Sequence, residues 1–147
     1  MSSNKEMEIG LREILISKGY EIFGNIKENG ETGCDLIAEK DRNTYHIEVI
    51  GYKRTGPARS KDFFQVFFRA VSRLDDNAKN CVIALPCNFL RGIKQRTNNY
   101  KVAWDRIGKI FPELVFWFVD LENRKITPIH WKDLPGFLSR NGCKRSI

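Results

Sequence analysis

The stretch GCDLIAEKDRNTYHIEVI, at residues 33–50, predicts a β-hairpin. Residues 35–39 and 44–50 have the apolar content of two short strands, and residues 40–43 (KDRN) have the composition of a tight turn between them. A turn centred near residue 41 or 42 pairs the strands so that Asp35 lies opposite about Glu48. The hairpin therefore brings two carboxylates to the same end.

The alternation within the second strand assigns its faces. Tyr45, Ile47 and Val49 point to one side, toward a core, and His46, Glu48 and Ile50 share the other. Glu48 is thus a charged residue in the middle of an apolar strand, where β-propensity disfavours it.

The segments on either side of the hairpin complete an α/β pattern. Residues 5–18 have a helical apolar stripe that Gly19 ends, and Ser60 is a plausible N-cap for a helix over residues 60–74. The remaining predicted elements are a strand at 20–26, a turn at 28–33, strands at 82–85, 114–119 and 125–129, a helical region at 88–110, and a last helical turn at 135–139. The order α-β-β-β-α-β-α-β predicts a single domain over residues 1–147, with a mixed central sheet flanked by helices.

The composition favours a polyanionic partner. The net charge is +7 and the pI is near 9.4, which favours nucleic acid, although a basic scaffold protein without such a partner has the same charge. No apolar run approaches the ~20 residues that span a membrane. The start MSSNKEMEIG lacks an apolar signal-peptide core, so we expect no membrane association and a cytoplasmic protein.

The paired carboxylates predict a cation site. Asp35 and Glu48 repel each other across the strands unless a cation lies between them. Oxygen ligands of this kind suit Mg²⁺, which keeps several waters and binds phosphate. The alternative is that Glu48 is an exposed residue and Asp35 only a turn former.

Residues 33–38 (GCDLIA) and 45–53 (YHIEVIGYK) resemble the D…ExK signature of the PD-(D/E)xK nuclease superfamily, particularly its small resolvase- and restriction-type members. Glu8, eleven residues before the Gly19-Tyr20 pair, resembles the helix glutamate of that family. The resemblance covers about the first half of the chain. It implies a restriction-endonuclease-like core and the activity of a metal-dependent DNA endonuclease. The protein could then act as a homodimer or as part of a larger nuclease complex. Glu8, Asp35 and Glu48 would then ligate Mg²⁺ or Mn²⁺, unless Glu8 is only a solvated helical residue.

The pattern departs from the family at Ile50. The family has a lysine two residues after the glutamate, and the resemblance implies that this lysine activates water and stabilises the transition state. Isoleucine neither donates a hydrogen bond nor carries charge. Three explanations stay open: Lys53 or Lys61 replaces the cation, cleavage is lost while binding is kept, or the lysine was replaced deliberately. Asp35, Glu48, Lys53, Lys61 and Gln65 are the candidate catalytic residues, because Gln65 resembles an extra helical motif of some family members.

A basic stripe follows the candidate site. Lys61, Gln65, Arg69 and Arg73 recur at four-residue intervals, opposite an apolar stripe predicted at residues 64, 67, 71 and 74. The stripe predicts a phosphate-binding surface, and the alternative is an ordinary solvated helix face. The candidate nucleic-acid-binding residues are Arg54, Arg59, Lys61, Arg69 and Arg73.

Overall fold

A mixed six-stranded sheet forms the centre of the computed structural model, which describes residues 3–24 and 34–141. The strands are β1 (Glu21–Phe23), β2 (Leu36–Lys40), β3 (Asn43–Val49), β4 (Cys81–Pro86), β5 (Leu114–Asp120) and β6 (Lys125–His130). Their order in the sheet follows their order in the chain. The three middle strands β3, β4 and β5 are parallel, and the remaining neighbours pair antiparallel.

Within the described residues, five helices flank this sheet on its two faces. They are α1 (Asn4–Ser17), α2 (Gly56–Ser72), α3 (Leu90–Asn99), α4 (Lys101–Ile110) and α5 (Leu134–Asn141). Buried residues of α1 pack against one face of the sheet, and those of the other four helices belong to the core on the opposite face. Within the described ranges, no helix is long and apolar enough to cross a membrane.

The two middle strands β4 and β5 are buried on both faces. All six residues of β4 are buried, as the continuous apolar run at 82–85 predicts for a strand covered from both sides. On the α2 side, Trp104 and Trp131 stack with ring centroids 3.9 Å apart. Each indole N–H donates to the backbone carbonyl of the other tryptophan at 3.0 Å, so these two buried donors are satisfied.

The α/β class with a mixed, helix-flanked sheet is confirmed, but the predicted element order is wrong. The region at 88–110 contains two helices, because the backbone at Tyr100 leaves the helical conformation (φ −125°, ψ 44°). The predicted order also ends at β5, although β6 and α5 follow it, where a strand at 125–129 and a helical turn at 135–139 were predicted separately. Residues 25 and 26 of the predicted first strand, and the turn predicted at 28–33, lie outside the described residues.

Helix α2 also begins earlier than predicted. Its N-cap is Thr55, whose hydroxyl oxygen accepts a hydrogen bond from the Ala58 N–H at 3.2 Å, and Pro57 is tolerated in the first turn. The buried stripe consists of Phe63, Val66 and Ala70. Of the predicted apolar stripe, Phe67, Val71 and Leu74 are partly buried against this core. Phe64 is 55% exposed, so the prediction is wrong at that residue.

The hairpin of β2 and β3 agrees closely with the sequence. Asp41 and Arg42 both have positive φ, 52° and 67°, as a two-residue turn that matches the twist of its strands requires. The strands pair Lys40 with Asn43 and Leu36 with Ile47. This register fixes the geometry of the candidate site.

Candidate functional site

Asp35 and Glu48 lie near the open end of the hairpin. The paired residues end at Leu36 and Ile47, and Asp35 directly precedes β2, so only an extension of the register by one step would set Asp35 opposite Glu48. Ile47 faces the α1 core, so alternation within β3 assigns Glu48 to the α2 side.

Asp35 also accepts a hydrogen bond from the backbone of β3. Its Oδ2 accepts a hydrogen bond from the Val49 N–H at 2.8 Å. Two residues later, the Gly51 N–H donates to Asn4 Oδ1 at 2.7 Å. The intervening Ile50 N–H donates to Ala84 of β4. Because β3 extends past the first residue of β2, side chains from the 34–35 segment and from α1 take the place of strand partners.

Glu48 is fully buried beneath helix α2. Its Oε1 lies 3.9 Å from Arg69 Nε and its Oε2 lies 3.9 Å from Arg73 Nε. The exposed fraction of Glu48 is 0%, which excludes the alternative of an exposed strand residue. Burial of a carboxylate costs several kcal/mol unless nearby cations offset it. The two guanidinium groups supply that counter-charge.

The Cys34 thiol lies in the same environment. Its Sγ donates toward the carbonyl oxygens of Leu36 and Ile47, at 3.1 and 3.2 Å. Burial, followed by the negative charge of Glu48, raises the pKa of Cys34 to about 12. The thiol therefore stays protonated at neutral pH and acts as a donor beside the carboxylate.

Ile50 belongs to the hydrophobic core on the α2 side. It is fully buried in the cluster that contains Phe63, Val66 and Phe116. The position where the resemblance implies a lysine is therefore filled by an apolar side chain in apolar surroundings.

Glu8 approaches this end of the sheet from the opposite helix layer. It lies one turn after Asn4 on α1, and Asn4 contacts Gly51 at the end of β3. Glu8 is 8% exposed, which excludes a fully solvated residue. Its Oε2 lies 3.5 Å from Arg12 Nε.

The remaining candidate catalytic residues lie on or before α2. Lys53 Nζ is 3.9 Å from Asp62 Oδ2, and Lys61 and Gln65 are exposed. Throughout residues 3–24 and 34–141, no three His, Cys, Asp or Glu side chains form a group that could hold a metal ion. Metal ligation by Glu8, Asp35 and Glu48 stays a prediction, and the donor set suits a divalent ion poorly because two guanidinium groups already face Glu48.

The candidate nucleic-acid-binding residues differ in their surroundings. Arg54 and Lys61 are exposed, and the Arg69 side chain is 47% exposed although it also faces Glu48. Arg59 is held by the carbonyl oxygens of residues 53 and 54, at 2.8 and 2.9 Å. Arg73 bridges Glu48 and Asp76, with 2.8 Å from its Nη1 to Asp76 Oδ2. Arg59 and Arg73 thus make internal contacts that the sequence pattern did not predict.

The partners of Glu48 are the main feature that the sequence analysis missed. Arg69 and Arg73 were assigned to a solvent-facing stripe, yet both lie against the buried carboxylate. A signal was present, because a charged residue in an apolar strand requires a nearby counter-charge.

Compared with models of protein families and with curated protein sequences, the chain gives no match.

Proposed function

We propose that the chain is a DNA-binding domain with a nuclease-like core that binds DNA without cleaving it. The observation that carries this proposal is the environment of Glu48. The carboxylate is sealed from solvent with Arg69 and Arg73 each 3.9 Å away, so protein cations occupy the position where a nuclease of the resembled family would present its glutamate to metal and water.

The loss of cleavage follows from the charges around the site. Hydrolysis of a phosphodiester requires positive charge at the developing negative charge of the transition state and an activated water. Ile50 provides neither, and it is 0% exposed. Asp35 uses one carboxylate oxygen for the Val49 N–H, a role in the fold that is independent of catalysis.

DNA binding is supported by the charge that remains on the surface. The chain has a net charge of +7, and Arg54, Lys61 and Arg69 expose their side chains on α2 and the loop before it. Cations on such a surface gain affinity for phosphates by releasing the counterions that surround DNA.

Fluorescence anisotropy with labelled duplex DNA tests the binding. We expect the affinity to fall steeply with salt, and Lys61→Ala to reduce the slope of log K against log salt by about one. Lys109→Ala is the matched control, because Lys109 is exposed at the end of α4. Absence of binding to both duplex and single-stranded DNA at low salt, or equal effects of both variants, would contradict the proposal.

A second candidate function is a metal-dependent DNA endonuclease with Mg²⁺ or Mn²⁺. The hairpin register, which would set Asp35 opposite Glu48 if it were extended by one step, favours it, and Lys53 or Lys61 would supply the missing cation. This candidate expects cleavage by the parent protein and its loss in Lys53→Ala or Lys61→Ala. Electrophoresis of DNA incubated with each metal separates the two candidates.

A further inference from the structure

A groove with three arginines lies between α2 and α3. It consists of two adjoining cavities of about 230 and 280 Å³ that share Arg59, Gly92, Gln95 and Arg96. Arg91 lines the first cavity as well. Among the described residues, no Asp or Glu lines either cavity. We call this feature the α2–α3 groove.

The two central arginines are oriented by neutral groups. Arg59 donates to two backbone carbonyls and lies 4.8 Å from the Tyr52 ring centroid. Arg96 Nη2 donates to Ser60 Oγ at 2.9 Å, and its guanidinium lies 4.8 Å from the Phe63 ring centroid. These contacts fix the direction of both guanidinium groups and leave their positive charge in the groove.

The positive charge of Arg59 lies close enough to Arg96 to disfavour the charged form of Arg96. Burial, followed by the positive charge of Arg59, lowers the pKa of Arg96, although a guanidinium remains protonated at neutral pH. Fixed cations that face a common cavity are stabilised by an anion between them, and guanidinium groups match the oxygens of a phosphate. The groove therefore has the chemistry of a phosphate site.

Aromatic side chains border the same groove. Phe64 and Tyr100 line the second cavity and are 55% and 56% exposed. Exposed rings beside bound phosphates provide surfaces on which unpaired bases stack, whereas the bases of a duplex are already stacked on each other. The first cavity lies at the start of α3, which follows the carboxyl end of the parallel strand β4, where open α/β sheets commonly bind ligands. The second cavity extends to Asn99 and Tyr100 at the end of α3.

We propose that the α2–α3 groove binds single-stranded nucleic acid, with phosphates at Arg59, Arg91 and Arg96 and bases stacked on Phe64 and Tyr100. This inference rests on the proposed DNA-binding function and specifies the form of the nucleic acid. It also separates the binding surface from Glu48, because Glu48 lines neither cavity.

Anisotropy with a labelled oligothymidylate of about 12 nucleotides tests the inference. A duplex of the same length serves as competitor. We expect the single strand to bind more tightly than the duplex, and Phe64→Ala and Tyr100→Ala each to weaken its binding roughly tenfold. Phe68→Ala is the matched control, since Phe68 lies one turn further along α2, is 69% exposed and does not line the groove.

A second pair of variants tests the phosphate contacts. Arg91→Ala should weaken single-strand binding, whereas Arg106→Ala on α4, which is exposed outside the groove, should have little effect. Equal effects of Phe64→Ala and Phe68→Ala, equal effects of Arg91→Ala and Arg106→Ala, or preferential duplex binding overturns the inference and leaves the proposed function standing. If neither DNA form binds at low salt, both proposals fail.

Discussion

The buried Glu48–Arg73 pair gives a quantitative prediction about stability. Opposite unit charges about 4 Å apart attract by about 4 kcal/mol at an effective dielectric constant near 20, and the observed separation is 3.9 Å. The Arg73 side chain is 17% exposed, so solvent screens the pair only in part. Because Arg69 remains as a second counter-charge, we expect Arg73→Met to lower the free energy of unfolding by about 2–3 kcal/mol.

Arg69 should contribute less than Arg73. Its side chain is 47% exposed, and exposed ion pairs contribute at most about 1 kcal/mol. Arg73→Met also removes the contact with Asp76, so a double-mutant cycle with Glu48→Gln is needed to isolate the Glu48–Arg73 term. We expect a coupling free energy of about 2 kcal/mol for this pair.

Urea unfolding followed by tryptophan fluorescence measures these free energies. The buried residues Trp104, Trp117 and Trp131 report on the core. Arg106→Met is the control, since an exposed residue outside such contacts changes stability by no more than about 0.5 kcal/mol. The reasoning is refuted if Arg73→Met behaves like this control or if its coupling with Glu48→Gln is below about 0.5 kcal/mol.

Three further predictions concern the same region. Ile50→Lys should lower the free energy of unfolding by at least about 3 kcal/mol without producing Mg²⁺-dependent cleavage, because an ammonium would enter an apolar core. The control Ile50→Val should lower the free energy of unfolding by only about 1 kcal/mol. A stable lysine variant that cleaves DNA would contradict this prediction. Burial lowers the pKa of His46 below its ordinary value of 6.5; the negative charge of Asp76 opposes this shift, and the positive charge of Arg73 adds to it. The stability that His46 contributes is therefore present above pH 6.5 and lost as the pH falls, so urea unfolding of His46→Gln should depend less on pH in that range. Glu48→Gln should lower the pKa of Cys34 and speed its alkylation at pH 8, because the negative charge opposing the thiolate is removed. Mass spectrometry of the modified peptide measures the alkylation rate. An unchanged rate would show that burial alone determines the pKa of the thiol.

The hairpin was predictable because local chemistry determines it. The turn residues 40–43 and the period-two alternation specify the register, in which Leu36 pairs with Ile47. The apolar runs at 82–85 and 114–119 similarly predicted strands buried on both faces. Such features depend on residues that are close together in the chain, so local sequence patterns predict them.

The partners of Glu48 depend on long-range packing. Helix α2 contains two Phe-Phe pairs, at 63–64 and 67–68, and either member of each pair could begin a helical apolar stripe. Burial of Phe63 and Val66 rotates the helix so that Arg69 and Arg73 reach the sheet. The division between α3 and α4 was missed because residues 88–110 contain no proline to mark it.

The most direct test of the central claim is one incubation that reports binding and cleavage together. Saturating wild-type protein is mixed with labelled single-stranded or duplex DNA and Mg²⁺ or Mn²⁺, and anisotropy is followed by denaturing electrophoresis of the same sample. We expect a salt-sensitive complex in which the DNA stays intact, and Glu48→Gln should leave that DNA uncut as well. Metal-dependent cleavage by the wild-type protein that Glu48→Gln abolishes would show that Glu48 serves a metal centre and would contradict the account.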